Sequence, residues 1–182
     1  MTKAMTGSFY LTETITIPAA SASGTRVTGT VDLSAYVNVP TGQAIAIESV
    51  DFVYQWSSAY NGAGAGMLAG NGGVSGQLVD LNPADVFVRA DNHSLVASGT
   101  LNIDDTNNIT SQSTDLYPDN FGPASLSEAF LVVNDTLYLT GGNNNSAVGG
   151  SAVFVTARIR CRVVKLSTKD WMAIAIQSTA EA

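Results

Sequence analysis

The chain has 182 residues, a net charge of -7 and a pI near 4.4, with 45% hydrophobic but only 13% charged residues. That length admits one sizeable core, and the acidity argues against a generic nucleic-acid binder, which carries a basic footprint. A charged share about half the ordinary ~25% leaves a surface rich in Ser, Thr, Asn and Gly, which can be buried against neighbours without stranding ions.

Cys161 is the only cysteine, so no intrachain disulfide can form. The N-terminal MTKAMTGSFYLTETITIP lacks the apolar core of a secretory signal, and no apolar run approaches the roughly 20 residues of a membrane helix. The expectation is a chain made and assembled in a cytoplasm.

Period-2 alternation dominates from the first element onward. FYLTETITI (9–17) sets Phe9, Leu11, Glu13, Ile15 and Ile17 on one face and Tyr10, Thr12, Thr14 and Thr16 on the other. TRVTGTVDL (25–33) follows. QAIAIESVDFVYQW (43–56) is apolar on both faces, which predicts that part of it is covered on both sides. GAGAGMLAGNGG (62–73) reads as a flexible loop, because neither a phosphate-binding G-x-x-x-x-G-K-[ST] nor a G-x-G-x-x-G with a following helix is present. QLVDL (77–81), VFVRA (86–90), SLVASGTLNI (94–103), AFLVV (129–133) and TLYLT (136–140) are shorter candidate strands.

NIDDTNN (102–108), YPDNFGP (117–123) and GGNNNSAVGG (141–150) are turn clusters, and Asn134–Asp135 suggests a tight hairpin or a short connection. Asp104, Asp105 and Asn107 could offer oxygens to calcium. The rest of an EF-hand loop is missing, so a turn held by Asx hydrogen bonds is the better reading. His93 is the only histidine and lies in the polar turn ADNHS; with no G-x-S-x-G elbow, no catalytic set emerges. No metal or cofactor is expected. The sequons at Asn92, Asn108, Asn134 and Asn144 are about what chance supplies in so polar a chain.

The last strand, AVFVTARIRCRVVKL (152–166), sends Val153, Val155, Ala157, Ile159, Cys161 and Val163 to one face and Arg158, Arg160 and Arg162 to the other. Cys161 therefore reads as a buried, inert thiol. Lys165 and Lys169 complete the one basic window of the chain. Residues 158–182 hold five basic and two acidic groups, against three basic and thirteen acidic elsewhere. Carboxylates are thus the available partners, within the fold first, on another copy second; phosphate comes third, since three arginines alone would bind it weakly and with strong salt dependence. Ser167-x-x-Asp170 ahead of WMAIAI is a capping box opening a short helix, and Trp171 on it needs a surface to cover it, in this chain or in a neighbouring copy.

These elements predict an all-β protein, an antiparallel β-sandwich forming a single jelly roll of about eight strands. One domain spans 1–182, with an N-terminal strand or arm at 1–20 and a short helix and tail at 167–182. The ending TLYLTGG…SAVFVTARIRCRVVKLSTKDWMAIAIQ (136–177) resembles the single jelly-roll major capsid proteins of icosahedral, membrane-containing DNA viruses of archaea and bacteria (sphaerolipovirus-like), in which a last strand runs into a short LS..DW segment. The resemblance implies a virion protein that self-assembles into an icosahedral shell, possible contacts with a second capsid protein and an internal membrane, and no specific nucleic acid. With no enzyme signature in the residues, no catalytic role is expected. The interface candidates are Arg158, Arg160, Arg162, Lys165, Lys169 and Trp171. A carbohydrate-binding or adhesive sandwich, with Tyr54, Trp56 and Tyr60 as stacking faces, is the alternative, followed by an extracellular filament subunit.

Overall fold

The computed structural model describes residues 3–62, 64, 66–114 and 130–179. The turn cluster at 117–123, Ala129 of the AFLVV run, Ala63 and Ala65 of the glycine-rich loop, and both ends of the chain lie outside the described residues.

Among the described residues, ten strands and one helix follow in order: β1 (Lys3–Ala4), β2 (Phe9–Ile17), β3 (Arg26–Asp32), β4 (Gln43–Trp56), β5 (Gly72–Val79), β6 (Leu95–Asp104), β7 (Ile109–Thr114), β8 (Phe130–Val132), β9 (Thr136–Asn144), β10 (Val153–Lys165) and α1 (Thr168–Thr179). The first sheet runs β1-β10-β4-β8 with β2 also on β10, and the second runs β3-β9-β5-β6-β7. All pairs are antiparallel. Setting aside the short β1 and the outermost β7, the pairing follows one rule. The first strand pairs with the last (β2–β10), the second with the next to last (β3–β9), the third with the sixth (β4–β8), and the fourth with the fifth (β5–β6). A long hairpin rolled up on itself gives this order. With β10–β4 and β9–β5 closing the two sheets, the result is a jelly roll of two packed sheets.

The core lies between the sheets. Ile15, Ile17, Ile45, Ile47, Val155 and Ile159 of the first sheet meet Val74, Leu78, Leu137 and Leu139 of the second. Small residues on the second sheet make room for large ones on the first. Gly76 and Gly141 face each other in register. A Cβ on Gly76 would sit 3.1 Å from both Phe52 Cδ1 and Val155 Cγ1. A Cβ on Gly141 would collide with Ile15.

Several local expectations need correction. The glycine-rich loop is anchored, since Met67 and Leu68 are buried in the core and Leu68 bridges Val148. β5 begins at Gly72, inside that loop, and β9 runs through Gly141 and Gly142 to Asn144, which sequence reads as a turn. Composition misleads there because these glycines serve close approach: Gly141 clears Ile15 of the opposite sheet, while Gly72 and Gly142 lie against the backbone of Asn144 and Thr25. VFVRA forms no strand: the Gln77 side chain takes both backbone groups of Val88, accepting its N–H (2.8 Å) and donating to its carbonyl (3.1 Å). Of the two readings of Asn134–Asp135, the short connection holds and the hairpin does not, because β8 and β9 belong to different sheets. β1 and the polar β7 carry no alternating apolar signal.

Candidate functional site

The outer face of the first sheet gathers the basic window. Along β10 the core residues run unbroken through Val153, Val155, Ala157, Ile159, Cys161 and Val163, so Arg158, Arg160 and Arg162 face outward. On β4 the alternation breaks. Ile45 and Ile47 are buried, and then Val50, Phe52 and Tyr54. The register explains the shift: Arg160 pairs with Ser49 and Cys161 with Ile47, so Glu48 opposes no residue of β10. This is a β-bulge, an extra residue that re-aims its neighbours.

Glu48, only 3% exposed, sits at that bulge between two arginines. Its Oε2 lies 3.1 Å from Arg160 Nε, and its Oε1 takes Arg162 through Nε and Nη2. The Ser8 hydroxyl donates to both carboxylate oxygens (3.1 and 2.9 Å) and accepts from Arg162 Nη2 at 3.1 Å. A buried carboxylate is tolerated when its lone pairs are filled by charged donors, and here two cations and a hydroxyl fill them. Sequence reasoning missed Glu48 and Ser8. The parity change between Ile45/Ile47 and Val50/Phe52/Tyr54 was the legible signal for the bulge.

Arg158 behaves differently. It is exposed, its guanidinium lies 5.2 Å over the Tyr10 ring, and among the described residues it forms no ion pair. Its cross-strand partner in register is Asp51, also exposed. Around this pair the outward rows are Tyr10, Thr12, Thr14 and Thr16 on β2, Phe154 and Thr156 on β10, and Val53 and Gln55 on β4.

The far end of the same face is roofed. α1 lays Trp171, Ile174 and Ala175 on Ala44, Ala46, Val133, Val164 and Leu166, which accounts for the two-sided apolar character of β4. The helix starts where sequence expects it: Ser167 Oγ accepts the Asp170 amide at 3.2 Å. The Ser167 hydroxyl in turn holds the Asp170 carboxyl below its ordinary pKa. Lys169 is exposed on the first turn, and Lys165 is exposed and in register with Lys3.

Cys161 is fully buried; burial, reinforced by the nearby Glu48 charge, pushes its thiol up to about 12. His93 is exposed, with its Nδ1 3.3 Å from Gln177 Nε2. At 102–108 the Asp104 carboxylate accepts the Asn107 amide (3.1 Å) and side chain (2.7 Å), an Asx-type turn that lowers the Asp104 pKa. Asp105 donates its backbone N–H to Asn71 Oδ1 at 2.8 Å. Of the proposed stacking aromatics, Tyr54 is buried, Trp56 is half-buried against the core, and Tyr60 is 60% exposed. Tyr60 has φ 52 and its ring lies tilted against Phe154, with ring centroids 5.3 Å apart and planes at 57°.

No family model matches the chain, and no curated protein does. Among solved structures it is similar to trichodysplasia spinulosa-associated polyomavirus VP1 in complex with GM1 oligosaccharide, at 9% identity and a TM-score of 0.45, covering 90% of this chain and 98% of that one. It is also similar to the decameric BFDV capsid protein (6%, 0.40, covering 88% and 99%) and to Desmodium yellow mottle tymovirus (8%, 0.30, covering 89% and 91%).

Proposed function

We propose that this chain is a capsid subunit, one jelly-roll domain spanning 1–182 whose work is self-assembly into an icosahedral viral shell. The observation that carries the reading is the contrast between the two outer faces of the sandwich. The second sheet is roofed by its own chain, where Gln77 clasps Val88 and Arg26 lies 4.3 Å over the Phe87 ring. On the first sheet no described residue roofs the strip that carries Tyr10, Thr12, Thr14 and Thr16, all exposed. Such a strip can be covered by another subunit at little desolvation cost, because threonine hydroxyls re-pair easily and few ions are buried. The fold alone does not decide function, since jelly rolls also serve lectins and cupins; the bare, low-charge face favours assembly.

In this reading the protein has no catalytic role, resides in the virion, and is synthesised in the host cytoplasm. A host among archaea or bacteria, a second capsid protein and contact with an internal membrane follow from the resemblance of residues 136–177. Arg158, Lys165 and Lys169 are the basic interface candidates left without a described ion pair. Arg160, Arg162 and Trp171 serve the interface through the fold that holds them. The test is electron microscopy with light scattering on purified protein, concentrated in several salts. Shells, sheets or capsomers support the reading, and a monomer under every condition refutes it.

Tyr60 favours one second reading. A bulky residue at positive φ is unusual, and here it presents an exposed ring beside Phe154. A glycan-binding sandwich would use that pair. Glycan-array binding abolished by Tyr60→Ala, with the melt unchanged, would favour it over assembly.

A further inference from the structure

The geometry points to the bare face of the first sheet as a two-fold contact between copies of this chain, in which Arg158 of each copy pairs with Asp51 of the other. This rests on the reading of the chain as a shell subunit. Arg158 and Asp51 are in register on neighbouring strands, both exposed, and neither forms an ion pair among the described residues. The guanidinium turns to the Tyr10 ring instead, 5.2 Å from its centroid. On β2 the flanking outward positions are Tyr10, Thr12, Thr14 and Thr16, and on β4 they are Val53 and Gln55, so among the described residues of these strands no other charge lies between the pair and the end of the sheet at Thr16 and Gln55.

Three physical points choose the occupant. A two-fold axis places the same patch on both sides, so a patch with one cation beside one anion is self-complementary when turned on itself. An anionic lipid or nucleic-acid surface would meet Asp51 as well as Arg158 and gain little. Finally, copies carrying -7 each repel at long range, and a reciprocal pair of ion contacts offsets that repulsion and fixes register at close range. Tyr10 and the threonine rows supply a flat surface with the aromatic enrichment and low charge of an interface core.

The experiment measures the concentration at which assembly begins, by sedimentation velocity and light scattering, for wild type, Arg158→Asp, Asp51→Arg and the double swap. Each single change sets like charges against each other twice and raises the onset at least tenfold. The double swap restores complementarity and returns the onset to within about threefold of wild type. Each single variant also sets like charges opposite each other within its own sheet and melts slightly lower, while the double swap melts like wild type. Singles that assemble like wild type, or a double swap that fails to recover, overturn the inference while leaving the shell reading standing. A wild-type protein that never associates sinks both.

Discussion

Two arginines of β10 and a third on the same face meet different fates within five residues. Arg160 and Arg162 converge on Glu48, which the β4 bulge delivers to them in a nearly dry setting. Arg158, one turn of the pleat away, faces an unbulged stretch of β4 and stays in solvent over Tyr10. Sequence type and strand face are the same, so the difference comes from the neighbouring strand. One inserted residue on β4 makes a fold-holding cluster at one end of the face and leaves an open surface at the other. Basic residues in a row on a strand therefore need not share a purpose.

The largest break in this comparison comes from the carboxylate. Glu48→Gln leaves two guanidinium groups facing each other across a neutral amide. Removing one partner of a buried pair costs about 3–5 kcal/mol; with both arginines partly exposed the expected loss is about 2–3 kcal/mol in urea unfolding. Trp171→Ala strips the roof from Ala44, Ala46, Val164 and Leu166. For a half-buried Trp the cost is about 2 kcal/mol, below the range for a fully buried one, and helical signal in far-UV circular dichroism falls with it.

Cys161, on the core side between the two paired arginines, gives a pH test. Its folded thiol titrates at about 12, against 9.0 for a free thiol. The unfolded chain therefore loses its proton first, and stability drains away as pH rises from 9 toward 12, by about 1.4 kcal/mol per pH unit. Denaturation of Cys161→Ala beside wild type should show that slope missing from the variant. The smallest effect belongs to the solvent end. Arg158→Ala should shift unfolding by less than about 0.5 kcal/mol, and a loss near that of Glu48→Gln would erase the distinction.

Much of this was legible in the residues. The alternation in 9–17 and 152–166 set β2 and β10 with their faces, and the serine–aspartate spacing at 167–170 set the start of α1. The two-sided apolar pattern of 43–56 foretold the cover that Trp171 provides. What escaped had tertiary causes. Glu48 drew no reading of its own in a stretch apolar on both faces, because only the register shows that it is skipped. The glycines at 72–73 and 141–142 looked like loop because local composition cannot show the tertiary neighbours that require them to be small: Ile15 of the opposite sheet at Gly141, and the adjoining backbone of Asn144 at Gly72 and of Thr25 at Gly142. VFVRA has a strand's composition, but Gln77 claims its backbone.

The most direct test of the division along β10 is hydrogen–deuterium exchange on assembled against dissociated protein. Protection gained on assembly should fall on 10–16, 51–55 and 154–158, while 43–48 and 160–166 exchange equally slowly in both states. Protection concentrated instead on the 82–92 segment over the second sheet, with 10–16 and 51–55 unchanged, would contradict the account.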